Sequence, residues 1–217
     1  MPTLDEAEAL ERSLPAALAL ADEVVVSDGG SRDGSAEIAR RLGAKVVEGP
    51  VGRGPQLNRG AAATSAEVLV FLHADTFLPA HASQEIRQAV AEGAVGGAFY
   101  VCFDSDRRLF RFGSRWVNQR TRWLKVPLGD QAQFATRSAF DALHGFQDWP
   151  ILEDLDFIRR LRRQGPIAIL DGPARTAVRR FDSLGILRTI ACNWLIWGLF
   201  LLRVSPKRLA RLYRKIR

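Results

Sequence analysis

Val68-Leu69-Val70-Phe71-Leu72 is an unbroken run of apolar, strand-forming residues that stops abruptly at His73-Ala74-Asp75-Thr76. With no polar residue in the run, neither face of such a strand is written for water. This is the pattern of a strand covered on both sides, as in a parallel α/β sheet. Residues two apart share a strand face, so extended geometry carried to the strand end would point His73 and Asp75 the same way. Open α/β sheets bind ligands at the carboxyl ends of their strands. An imidazole and a carboxylate placed there have the donor types to hold a divalent cation. The plainer alternative is that Asp75 caps the next helix and His73 is a satisfied loop residue.

The flanking chain supports an α/β reading. Residues 3–20 have helical spacing, with Pro15 as a break or restart. Glu23–Ser27 reads as a strand and runs into the turn Asp28-Gly29-Gly30-Ser31-Arg32-Asp33-Gly34-Ser35. A helix follows to Gly43, then a strand over 45–48. The loop Gly49–Gly54 leads to a helix opened by Pro55. Strand, helix, strand, helix, strand implies a parallel, right-handed arrangement. Beyond Pro79 the spacing predicts helices over 80–92, 106–124, 138–144 and 153–164, and strands over 95–103 and 167–170. Residues 129–137 read as extended, and two last helices as 184–203 and 206–216.

The chain has 217 residues, enough for one α/β domain with an appendage, and at 47% hydrophobic it can bury a substantial core. Cys102 and Cys192 are the two cysteines, so no disulfide framework is written and a reducing cytoplasm is the expectation. The formal charge of +7 is unevenly spread. Residues 175–217 hold eleven Lys/Arg against one acid, Asp182, a net +10, which leaves −3 for the remainder. A basic tail meets nucleic acid, an anionic membrane or solvent. The run Ile190–Leu202 is apolar and aromatic but too short for a bilayer, which takes about 20 residues. Trp194 and Trp197 with Arg188 and Arg203 on either side suit a headgroup interface, whereas a helix covering the sheet is the alternative. No nucleic-acid partner is expected, because the body is acidic and no groove-reading motif is present.

Individually the chemistry-bearing residues are ambiguous. Asp28 in its glycine-rich turn could accept hydrogen bonds from a base or ribose, or merely cap a helix. Gly52-Arg53-Gly54 lets backbone approach a phosphate at a helix N-terminus, and Arg59 lies one helical stretch on. The dinucleotide pattern G-x-G-x-x-G fails there, since Leu57 stands where its third glycine belongs, which argues against nicotinamide and flavin chemistry. Glu153-Asp154 opens a helix and is either a dipole-favoured first turn or a base poised over a hydroxyl.

In order, Val26-Ser27-Asp28-Gly29-Gly30-Ser31-Arg32-Asp33-Gly34, Asn58-Arg59-Gly60, His73-Ala74-Asp75 and Glu153-Asp154 resemble the signature of family 2 glycosyltransferases with the GT-A fold. The resemblance covers roughly residues 2–170, and Pro2-Thr3-Leu4-Asp5-Glu6 looks like the family's opening motif. It implies a small single-domain enzyme over 1–180, with a Rossmann-like nucleotide-binding sheet flanked by helices, and a basic, aromatic helical extension over 181–217. It implies inverting transfer of a sugar, hexosyltransferase-like, from a nucleotide sugar with a divalent cation, Mn²⁺ or Mg²⁺. By position, the donor contacts would come from Thr3, Glu6, Asp28, Gly30, Arg53, Asn58, Arg59, Ala74 and Asp75. Asp75 would hold the metal, with His73 beside it. Asp154 would be the base, and Asp130, Gln131 and Glu153 would lie on the acceptor side. A uracil base is the family-level expectation, and the acceptor, lipid or lipid-linked, is not identified by these residues.

Two departures matter. His73 stands where the family's metal motif has its first Asp, which removes one hard oxygen ligand and favours Mn²⁺ over Mg²⁺. The family's first strand would precede Pro2, so the expectation is a start upstream of Met1; otherwise a sheet edge lies open. The Q-x-x-R-W motif of processive synthases is missing, so one transfer per acceptor is expected. With the tail this gives a cytoplasmic enzyme, peripheral on the inner membrane. A catalytically silent nucleotide-sugar binder and a basic nucleic-acid binder are the readings from another class.

Overall fold

A computed structural model describes residues 1–105, 107–177 and 186–216. In chain order the elements are β1 (Pro2–Thr3), α1 (Ala7–Leu20), β2 (Val25–Asp28), α2 (Ser35–Arg41), β3 (Lys45–Glu48), α3 (Arg53–Ala62) and β4 (Val68–Phe71). Next come β5 (Thr76–Phe77), α4 (Ala82–Ala91), β6 (Gly96–Phe103), α5 (Arg108–Leu124), a 3₁₀ turn (Gly129–Gln131), β7 (Gln133–Thr136) and α6 (Arg137–Ala142). The chain closes with α7 (Glu153–Leu161), β8 (Ile167–Thr176), α8 (Ile186–Leu201) and α9 (Pro206–Ile216). The expected boundary at 180/181 falls outside the described residues.

The strands form two hydrogen-bonded groups. β1, β2 and β3 are parallel, in that order. β4, β7, β6, β8 and β5 form a mixed sheet in which β6 and β8 run parallel and the other pairs antiparallel. This is a mixed α/β architecture with helices against the sheet, as the alternation of apolar runs and helical spacing implies. Several details differ from the sequence reading. The opening apolar run pairs antiparallel with β7, Val68 opposite Thr136 and Phe71 opposite Gln133, and it is covered on one face rather than two, with Leu69 and Phe71 buried and Val70 exposed, as an antiparallel pair allows. The first strand is present in brief: Pro2–Thr3 pair with Ser27–Asp28, and Gly29 N–H donates to Thr3 O at 2.9 Å. Pro15 does not break α1, because it sits on the exposed face, where the carbonyl it leaves unpaired meets water.

Two cores fix these layers. One joins Leu10 and Leu14 of α1 to Val26, Phe99 and Phe134. The other is aromatic: Phe71, Phe140, Phe146 and Phe157, with Phe146 and Phe157 stacked at 4.1 Å between ring centres and Phe71 edge-on to both. This second core clamps α7 onto the end of β4, and so sets where the first turn of α7 points. Close approach is part of the design at Gly97, where a Cβ would run into the Ala168 carbonyl of the neighbouring strand.

Candidate active site

The apolar run ends at Phe71, and His73–Thr76 turn, with Thr76 N–H donating to His73 O at 3.2 Å. Extended geometry therefore does not carry through to Asp75. Ala74 is buried at this turn, and its carbonyl accepts from Ser13 Oγ of α1 at 2.5 Å. His73 and Asp75, on either side, are half-buried.

Beside His73 opens a small cleft, lined among others by Arg53, His73, Gly129, Gln133, Phe146 and Asp154. Six separate segments meet there, Pro2 of β1 among them. Asp154 lies in the first turn of α7, where a carboxylate complements the positive end of the helix. Its Oδ2 accepts from the Gly129 N–H at 2.6 Å and its Oδ1 from the Leu155 N–H at 2.8 Å. Each oxygen keeps a second lone pair. The preceding residue, Glu153, is 3% exposed, and its Oε1 lies 2.9 Å from Arg53 Nε at the start of α3. The same guanidinium meets His73 Nε2 through Nη2. Leu152, just before, takes a left-handed φ of 65°, a conformation that costs a branched side chain free energy and recurs at functional sites.

The acceptor-side triplet splits into two roles. Gln131 is fully buried and structural: its Oε1 accepts from Thr121 Oγ1 at 3.0 Å and its Nε2 donates to Phe99 O at 2.9 Å. Asp130 is half-buried, and its Oδ1 is closed off from solvent with no hydrogen-bond donor among the described residues. Burial pushes its carboxyl above the ordinary range, Arg120 pulls the other way, and Asp154 adds to the rise.

Asp28 and Asp75 do not line this cleft. Asp28 sits buried at the carboxyl end of β2. Its Oδ2 accepts from the Gly30 and Ser31 amides, both at 2.8 Å, and its Oδ1 from Ser31 Oγ and Thr3 Oγ1. Burial acts to raise this carboxyl; the hydrogen bonds outweigh it and hold it below the ordinary value. The glycine turn is thus folded around its own acid, with Gly30 at φ 92°. Glu6 is anchored nearby, its N–H donating to Ser35 Oγ at 2.9 Å. Arg59 reaches back to Asp28 O at 2.9 Å, and Asn58 brackets Phe146, accepting from its N–H and donating to its carbonyl at 2.8 Å each. One residue the sequence did not single out joins the two regions. Buried Gln56 donates to Thr3 O and Ser27 O at 2.8 Å and accepts from Gly52 N–H at 3.1 Å. Nothing in the Pro55-Gln56-Leu57 pattern marks it, because its role lies wholly in tertiary hydrogen bonding.

Among the described residues no three His, Cys, Asp or Glu side chains cluster as a ready-made cation cage. A cation at this turn would have a single protein carboxylate, Asp75, and would need its other ligands from a bound molecule. His73 is taken up with Arg53.

A family model described as Glycosyl transferase family 2 matches residues 1–147. No curated protein matches the chain. Among solved structures, TarS of S. aureus, residues 1–349, is 18% identical with a TM-score of 0.64, over 88% of this chain and 62% of that one. The mannosyltransferase PcManGT of Pyrobaculum calidifontis, solved with GDP-Man and Mn²⁺, is 18% identical with a TM-score of 0.65, over 98% of this chain and 67% of that one. Glucosyl-3-phosphoglycerate synthase of Mycobacterium tuberculosis, solved with Mn²⁺ and UDP-Glc, is 23% identical with a TM-score of 0.58, over 89% of this chain and 76% of that one. At these identities the likeness is one of fold, the GT-A fold expected above.

Proposed function

The chain belongs to glycosyl transferase family 2, and from that premise we propose that it moves a sugar from a nucleoside-diphosphate sugar to an acceptor hydroxyl with inversion. The observation that carries this reading is the Asp154 carboxylate, held at the cleft by the Gly129 N–H and flanked by the Arg53–Glu153 ion pair. Two fixed hydrogen bonds orient the carboxylate, and its spare lone pairs can take the proton of an attacking hydroxyl. Arg53, at the N-terminus of α3, supplies charge and a helix end toward donor phosphates. Asp28, Thr3, Glu6, Gly30, Asn58, Arg59 and Ala74 shape the donor side. On the acceptor side, Asp130 and Glu153 face the base and Gln131 braces it.

Asp75 would hold a divalent cation with the donor phosphates, and that cation would neutralise charge on the leaving diphosphate. Mn²⁺ is the preferred ion, as in the two neighbours solved with it. The solved neighbours bind UDP-GlcNAc, GDP-Man and UDP-Glc, and a UDP-sugar is our reading for this chain. Residues 1–180 would form the catalytic unit, and the helical extension would bring it to an anionic inner-membrane face and a lipid or lipid-linked acceptor. No helix among the described residues is long and apolar enough to cross a membrane.

A thermal-shift panel of nucleoside diphosphates, with and without Mn²⁺, tests donor binding. Asp154→Asn should keep that shift and lose turnover of the matching nucleotide sugar by roughly 10²–10⁴-fold. Unchanged turnover would remove Asp154 as the base.

A further inference from the structure

Helix α5 carries three faces. Phe110, Ser114, Val117, Asn118 and Thr121 turn inward. Asn118 closes the edge of β6, accepting from Val101 N–H and donating to Val101 O at 2.9 Å each, and Ser114 Oγ accepts from Phe103 N–H at 2.9 Å. A second row, Leu109, Phe112, Trp116 and Trp123, shares one side by helical spacing and faces out, at 47%, 66%, 44% and 74% exposure. Leu124 beside it is 50% exposed. A third row, Arg111, Arg115 and Arg122, is exposed and trails the aromatic row by one residue, about 100° around the helix. From Arg108 to Leu124 the helix has five arginines and no acid.

A contiguous row of exposed Phe and Trp side chains marks an interaction surface, unlike apolar residues scattered singly. Aromatics on one side and a row of cations next to it match the depth profile of a membrane surface, apolar below the headgroups and anionic at them. The charge is one-sided, so the partner it complements is anionic. We infer that α5 is an amphipathic docking helix that lies in the plane of an anionic phospholipid bilayer, with Phe112 and Trp123 inserted and the arginine row at the phosphates.

This deepens the membrane clause of the reading above and rests on it for the acceptor. It moves the contact from the tail to the body of the enzyme. The C-terminal end of α5 is bonded to the 3₁₀ turn, through Thr121 Oγ1 to Gln131, and that turn donates to Asp154. A bilayer under α5 therefore lies beside the acceptor side of the cleft, where a lipid-borne hydroxyl could enter without leaving the surface.

The test uses the full chain and sedimentation with vesicles of phosphatidylglycerol and phosphatidylethanolamine, against pure phosphatidylcholine vesicles, at low and high salt. Wild-type protein should pellet with the anionic vesicles only, and less at high salt. Phe112→Ser with Trp123→Ser should weaken pelleting at least about tenfold, and Arg111→Gln with Arg115→Gln should flatten its salt dependence. Both variants should keep the wild-type circular dichroism and nucleoside-diphosphate thermal shift, which separates this proposal from the catalytic one. Pelleting that survives both variants but is lost on Lys207→Glu with Arg208→Glu would overturn the role of α5 and leave the tail as the contact. Loss of pelleting in none of them, tighter binding to duplex or single-stranded nucleic acid than to vesicles, or a Trp123-dependent dimer at micromolar concentration would each overturn it as well.

Discussion

Gly129 is where the cleft closes on itself. A Cβ there would lie 3.0 Å from Asp154 Oδ2 and 3.2 Å from His73 Nε2, and would run into the Arg53 guanidinium. The nearest of these atoms is the far end of a flexible side chain, so the fold can absorb the methyl group but the alignment of Asp154 and Arg53 cannot. Gly129→Ala should lower kcat/KM by about 10²-fold with only a small change in melting temperature; normal kinetics would detach the Gly129 amide from the chemistry. Its neighbour Asp130 gives a second residue-level prediction. Burial raises its carboxyl in the folded protein. A raised acid binds its proton more tightly when folded, so the folded state is favoured below the ordinary carboxylate pKa of about 4 and loses that advantage as pH rises through the folded value. The stability difference between wild type and Asp130→Asn should therefore shift against wild type from pH 4 to pH 7, as measured by urea denaturation at each pH. Asp28 has the opposite sign: its depressed carboxyl contributes stability above about pH 4 that is lost as pH falls through its lower folded value. Of these residues the places of Asp28, at a strand end, and Asp154, in a first helical turn, were legible from the sequence, because acids at such ends follow local rules, whereas their roles rest on the family resemblance. Gln56, and the division of labour between Asp130 and Gln131, were not, since both arise from contacts between distant segments.

Among the elements, α7 and β4 show what local pattern can and cannot say. Glu153–Leu161 was readable as a helix and Val68–Phe71 as a strand, but the expected cover on both faces was not: Leu69 and Phe71 are buried, whereas Val70 on the other face is exposed. The partner of that strand was not readable. An apolar run does not say whether its neighbour runs parallel or antiparallel, and β7 begins far along the chain, at Gln133, as four residues after a 3₁₀ turn. Likewise β5, two residues long, has no period to detect. What joins α7 to β4 is the aromatic core, and Phe157 is its centre, fully buried against Phe71, Phe140 and Phe146. Phe157→Ala should cost about 3–5 kcal/mol, seen as a lower denaturation midpoint at unchanged slope. Because Phe157 lies one turn after Asp154 on the same helix, turnover per folded molecule should fall too. A loss of stability with full turnover would show that the first turn of α7 is held from elsewhere.

At the scale of the molecule, the C-terminal helices pack beside the segment that leads into Asp154. Helices α8 and α9 bury Cys192, Ile196 and Leu209 together, and Ile151 and Leu152 pack against them. Phe200 stands edge-on to Trp149 at 6.0 Å between ring centres and beneath Arg159, and Trp197 lies under Arg120 at 5.1 Å. The tail is therefore a wall of the segment that carries Glu153 and Asp154, whatever its basic face touches. Leu152 takes its left-handed backbone there, and such a conformation persists only where packing over-determines it. Removing packing on the tail should release it. Leu209→Ala opens a cavity at a fully buried position in this cluster, worth about 2–5 kcal/mol locally. Nucleoside-diphosphate binding, which the proposed function assigns to β2 and α3, should stay as in wild type, while kcat for hydrolysis or transfer from the nucleotide sugar drops and amide exchange quickens at residues 150–156. If the tail served the membrane alone, kcat in solution would be untouched by Leu209→Ala, and the strained turn before Asp154 would have to be held by α7 and the aromatic core instead.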